Sequence, residues 1–181
     1  DTDGMNWPSQ STRVSVVDIN SFEFEKTITV SLNPNYIYSD SDGDVYVICM
    51  SDYSDDKSYI VQRIDAKTDE VKTVEGIKAY KMTVADDIAY IMFNDYYANE
   101  VKYYKYDLKN EKLLSDNFIT DGTVVSSPNG IGVDPVTGDI YVGKSNKKNN
   151  GDVYVFSSEG KLKSQFETLP YPADFVFMTN K

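Results

Sequence analysis

Carboxylates are the most abundant chemically capable groups in this chain: 29 Asp and Glu stand against 18 Lys and Arg, and histidine is absent. Without histidine the commonest general base and transition-metal ligand is missing, and neither a Ser-His-Asp nor a Cys-His arrangement can form. Paired carboxylates are able to do glycosidase-type acid and base work, yet no local signature singles out two of the 29. Asp40-Ser41-Asp42-Gly43-Asp44 alternates carboxylates as a hard-cation loop would, but it lacks the glutamate that closes an EF-hand loop. The corresponding stretch elsewhere is Asp134-Pro135-Val136-Thr137-Gly138-Asp139, so both read as hairpin turns, where the backbone itself demands Asp, Gly and Pro. Asp55-Asp56, with Asp52 nearby, reads as a solvated loop. Asn129-Gly130-Ile131-Gly132 runs into a strand, so its glycines point to close strand packing rather than to a phosphate cradle. Cys49 ends an apolar run and reads as a buried, inert thiol. The expectation is a non-catalytic protein with no cofactor and no metal ligand set.

The elements that position these residues are strands. Fifteen Tyr and eight Phe sit among Val and Ile in period-2 alternation, and nowhere do apolar residues at i, i+3, i+4 and i+7 persist beyond a turn. A pattern of roughly 45 residues recurs, and a period of that size in a β-rich chain indicates a β-propeller. Its clearest copies are Pro34-Asn35-Tyr36-Ile37-Tyr38-Ser39-Asp40 followed by Gly43-Asp44-Val45-Tyr46-Val47, and Pro128-Asn129-Gly130-Ile131-Gly132-Val133-Asp134 followed by Gly138-Asp139-Ile140-Tyr141-Val142. A degenerate copy runs from Ala79 to Ile91.

The expected fold is all-β, about four blades' worth of four-stranded antiparallel sheets, with repeats over 13–33, 34–78, 79–127 and 128–169 in a single domain. Residues 13–30 supply only the third and fourth strands of a blade, and residues 173–178 supply a further first strand that suits closure with another chain end. This uneven tally favours the C-terminal half of a larger ring over a complete four-bladed one.

The phrases at 128–142 and 151–161 and the ending Tyr171-Pro172-Ala173-Asp174-Phe175-Val176-Phe177 resemble the YncE-like propeller proteins of gut Bacteroidetes. That group includes surface lipoproteins that bind vitamin B12, the BtuG-like proteins. The resemblance implies a seven-bladed ring of about twice this length, an outer-membrane-surface or periplasmic location, and attachment through an N-terminal lipidated cysteine outside this chain. It also implies a corrinoid or other nutrient as ligand, an outer-membrane transporter as recipient, and a companion N-terminal fragment.

In a propeller, the loops joining fourth to first strands and second to third strands gather on one face. In this chain those loops and their flanks carry the candidate binding residues Trp7, Tyr36, Tyr53, Tyr80, Tyr96, Tyr97, Lys144, Asn146 and Tyr171. Aromatic rings backed by amide and ammonium donors suit a large ligand with apolar and polar edges, such as a corrinoid or a glycan. The competing readings are that Tyr36 and Tyr80 pack between blades, that Tyr96-Tyr97 shields a strand end, and that the Lys144–Asn150 segment is a solvated loop. A surface protein docked on the same face is the alternative partner. A net charge of -11 sets nucleic acid aside, and no run of about 18 apolar residues is present to span a membrane.

Overall fold

Tyr and β-branched side chains at alternate positions form strands wherever the structure describes them. The computed structural model describes residues 11–51, 58–95, 99–146 and 148–178, and every regular element among them is a β-strand. The chain divides into two compact units, Asp1–Lys78 and Ala79–Lys181.

In the first unit, β1 (Arg13–Val17) and β2 (Phe24–Thr29) form a two-stranded antiparallel sheet. They are followed by β3 (Pro34–Ser39), β4 (Val45–Cys49), β5 (Ile60–Ile64) and β6 (Val71–Lys78), which pair in that order. Register puts Val45, Val47 and Cys49 on one face of β4. That face packs with Ile28, Val30 and Ile64, and with half-buried Val14 and Val16 of β1.

The second unit holds two four-stranded meanders. One is β7 (Lys81–Ala85), β8 (Ile88–Asp95), β9 (Glu100–Asp107) and β10 (Lys112–Ser115). The other is β11 (Pro128–Val133), β12 (Ile140–Asn146), β13 (Asn149–Phe156) and β14 (Leu162–Thr168). Between them lies a core of Tyr90, Met92 and Tyr103 from the first sheet and Ile131, Val133, Ile140, Val142, Tyr154 and Phe156 from the second, closed by Phe118 and Val125 of the connection. Each fully buried aliphatic or aromatic side chain contributes roughly 1.5–3 kcal/mol, so alternation alone gives both sheets a strong reason to pack. The hydroxyl of Tyr103, which burial pushes away from ionisation, donates to Val125 O at 2.8 Å.

Aspartates at the strand ends cap the turns. Asp18 and Asp65, just after β1 and β5, and Asp107, the last residue of β9, accept from backbone N–H groups two or three residues on, among them Ser21 at 2.7 Å, Thr68 at 2.9 Å and Asn110 at 2.9 Å. Asp40 accepts from Asp42 N at 3.0 Å and Asp44 N at 2.9 Å. Asp44 in turn binds Arg63 and accepts from Ala66 N at 2.8 Å. The carboxylates of Asp40 and Asp44 are thus engaged in turn and inter-strand bonds, as the hairpin reading expects.

Residues 173–178, expected as a closing strand, join no ladder among the described residues. They keep strand-like alternation instead: Phe175 and Phe177 turn inward, each within ring contact of Tyr141, while Val176 and Met178 are 89% and 96% exposed.

Candidate functional site

Register brings one end of all the strands in the second unit together. There β7 and β11 begin, β8 and β12 end, β9 and β13 begin, and the segment 169–174 crosses. The β12–β13 hairpin reverses beside Asn146 and Asn149, which are register partners. Asn146 Nδ2 donates to Asn150 O at 2.8 Å and reaches Asp152 Oδ2 at 3.4 Å, and Lys144 Nζ stands 4.0 Å from the same carboxylate. Lys144 and Asn146 therefore share Asp152 as a common anchor. The side chain of Lys144 is 24% exposed.

Segment 171–174 is seated against this hairpin by glycines. A Cβ on Gly143 would stand 2.4 Å from Pro172 O, one on Gly130 would stand 2.4 Å from Ala173 O, and one on Gly151 would stand 2.7 Å from Pro172 Cδ. Only a hydrogen fits at these positions, which is the close approach expected of the glycines at 130 and 132. Tyr171, half exposed, precedes Pro172 with φ of 60°, as Ser127 precedes Pro128 with φ of 56°.

Lys81 completes the end. It is 5% exposed, and its Nζ donates to Ala173 O and Asp174 Oδ1, both at 2.8 Å. Asn94 Nδ2 donates to Pro128 O at 3.3 Å, and Asn129 Nδ2 to Pro172 O at 3.5 Å. These long polar side chains hold the starts of successive segments in place. They also make this end rich in oriented donors.

Of the residues proposed from sequence, Lys144, Asn146 and Tyr171 meet here. Tyr80, next to Lys81, is half-buried, packs against the core and donates its backbone N–H to Met92 O at 2.8 Å. Tyr36 lies in the other unit, lining a cleft of about 200 Å³ with Arg13, Val14, Pro34, Asn35, Ile37 and Val47. Trp7, Tyr53, Tyr96 and Tyr97 fall outside the described residues. Sequence reasoning passed over Lys81 and Asp174. The available signal was a lysine opening an inner strand, at the place where the neighbouring repeats carry Pro and Asn.

No family model and no curated protein sequence matches this chain. Solved structures do. The Dos1 propeller superposes with a TM-score of 0.63 over 90% of this chain and 44% of its own, at 12% identity. TolB from Acinetobacter baumannii follows with a TM-score of 0.60 over 88% of this chain and 38% of its own, at 14% identity. The chain has the β-propeller fold. The propeller domain of the trilobed protease from Pyrococcus furiosus is also similar, with a TM-score of 0.53 over 75% of this chain and 42% of its own, at 10% identity. This propeller chain spans less than half the length of each of the three.

Proposed function

We propose that this propeller is a non-catalytic binding protein acting outside the cytoplasm, and that the loop-bearing end of its second unit takes a small-molecule nutrient for delivery to an outer-membrane transporter. The observation that carries the reading is the grouping of Lys144, Asn146 and Tyr171 around the glycine-seated segment 171–174. An ammonium and an amide on the β12–β13 hairpin, with an aromatic ring on the segment crossing it, suit a ligand with amide or anionic edges and an apolar face. A corrinoid is the first ligand to test, on the resemblance to the B12-binding lipoproteins. Asp18, Asp65, Asp107 and Asp134 are each held below the ordinary carboxylate range by hydrogen bonds from turn groups, and Asp121 by hydrogen bonds from Leu162 N of β14 and from Thr123. They are ionised acceptors that hold turns and loops.

Calorimetric titration with cyanocobalamin tests this. The expected result is saturable binding that Lys144→Ala and Asn146→Ala each weaken about fivefold, the scale of one hydrogen bond. Absence of saturable heat sinks the corrinoid reading. A second reading, a docking scaffold for a surface protein, is favoured by the exposed apolar run of Phe166, Leu169, Tyr171, Val176 and Met178. It requires that Val176→Asp abolish partner binding while Lys144→Ala does not.

A further inference from the structure

β14 is the outer strand of the β11–β14 sheet, and among the described residues its ladder partner is β13 alone. Ser157 N donates to Lys161 O at 2.8 Å across the turn that joins the two strands, so Val155 and Val153, at alternate positions back along β13, also bond toward β14. Their register partners are Ser164 and Phe166. Gln165 and Glu167 therefore turn their N–H and C=O groups to the other edge. That edge is open: every residue from Leu162 to Glu167 is exposed, Leu162 by 38% and Phe166 by 49%. Edges of this kind template pairing with another chain and are usually blocked by charged side chains or proline. β14 has no proline, and its charges are of both signs, Lys163 two residues before Gln165 and Glu167 two residues after it. The outer strands of the other two four-stranded sheets are less regular. β10 has four residues and a register shift between Leu113 and Ser115. β6 jumps in register from Thr73 to Lys78 around Gly76, whose φ is 74°.

We propose that β14 pairs antiparallel with β14 of a second copy of this chain, about a two-fold axis at Gln165. In that register the backbone of Gln165 bonds that of the partner's Gln165, Lys163 lies opposite the partner's Glu167, and Glu167 lies opposite the partner's Lys163. Ser164 faces the partner's Phe166, which sets the two Phe166 rings on the diagonal of the other face, within the reach of aromatic side chains. A two-fold contact uses one patch twice, so a strand with opposite charges equally spaced about its centre is complementary to itself. That symmetry selects a second copy over an unrelated strand, which the same charges would obstruct. Within one chain Lys163 Nζ contacts Asp139, and Glu167 Oε1 accepts from Asn150 Nδ2 at 2.8 Å. An ammonium has three donors and a carboxylate two oxygens, so each group keeps its contact while gaining one across the axis.

Sedimentation equilibrium of the 181-residue chain tests this, at about 0.15 M salt, where a Debye length of about 8 Å screens the two copies' net charges of -11 from each other. The expected result is a reversible equilibrium between 20.5 kDa and twice that mass. Its Kd should be on the order of 100 μM, as suits a contact below the standard interface size. Lys163→Glu and Glu167→Lys each set like charges opposite one another at both ends of the contact and should weaken it about tenfold. The double variant restores opposite charges and should return the Kd to within about twofold of the original. Amide exchange of the unaltered chain, followed by NMR, decides the matter even if a variant fails to fold. The amides of Gln165 and Glu167 should slow as protein concentration rises, with those of β10 unchanged. A chain monomeric up to roughly 1 mM, a dimer indifferent to both single variants, a double variant no stronger than the singles, or a dimer without slowing at Gln165 and Glu167 each overturns the proposal.

Discussion

At the scale of single residues, burial and hydrogen bonding decide which groups are reactive. Cys49 is fully buried, and desolvation pushes its thiol up to about 11. The thiolate is the nucleophile, so at pH 8 this cysteine should react with a maleimide or a disulfide reagent on the order of a hundredfold more slowly than an ordinary thiol. Unfolding in denaturant should restore the normal rate. Comparable rates in native and unfolded protein would show that the strand end opens readily. Its inertness was legible in sequence from an apolar run ending in Cys. The role of Lys81 was not, because a lone lysine at a strand start carries no sign of the partner it meets 92 residues away.

At the scale of elements, glycines and turn residues set how closely segments approach. Gly143→Ala would place a methyl 2.4 Å from Pro172 O, a backbone atom that cannot swing aside. The expected cost is about 1–3 kcal/mol, read as a lower midpoint in urea together with faster proteolysis between Tyr171 and Phe177. Unchanged cleavage would mean that segment 171–178 adjusts freely. The β7–β8 hairpin offers the opposite case. Its two turn residues, Asp86 and Asp87, have φ of 50° and 60°, the signature of a type I′ turn whose second position favours glycine. Asp87→Gly should stabilise the protein by about 0.5 kcal/mol, raising the melting temperature by a degree or two. The hairpin itself was legible from Ala85-Asp86 and Ile88, whereas the strain in its turn became visible only in backbone angles.

At the scale of the whole molecule, the excess of acid governs behaviour with pH. The aspartates at positions 18, 65, 107, 121 and 134 have lowered folded-state values. Their stabilising contribution is therefore present above the unfolded carboxylate value near 3.8 and is lost as pH falls through the folded values. The melting temperature should hold from pH 7 to about 5 and drop below about pH 4. Asp65→Asn and Asp134→Asn, which keep an acceptor oxygen without the titration, should flatten that drop, and an equally steep acid transition in the double variant would point to other groups. The strand content, the repeat and the capped turns were determined by sequence alone, because alternation and turn chemistry act over a few neighbouring residues. Tyr36, Tyr80, Lys144, Asn146 and Tyr171 were all nameable as candidates, yet nothing in their spacing said which would meet. Only the tertiary structure decided that Lys144, Asn146 and Tyr171 share one end and that Lys81 and three glycines seat segment 171–174 there. Those outcomes depend on backbone approaches and sheet edges formed by segments far apart in the chain, and a local pattern holds no record of them.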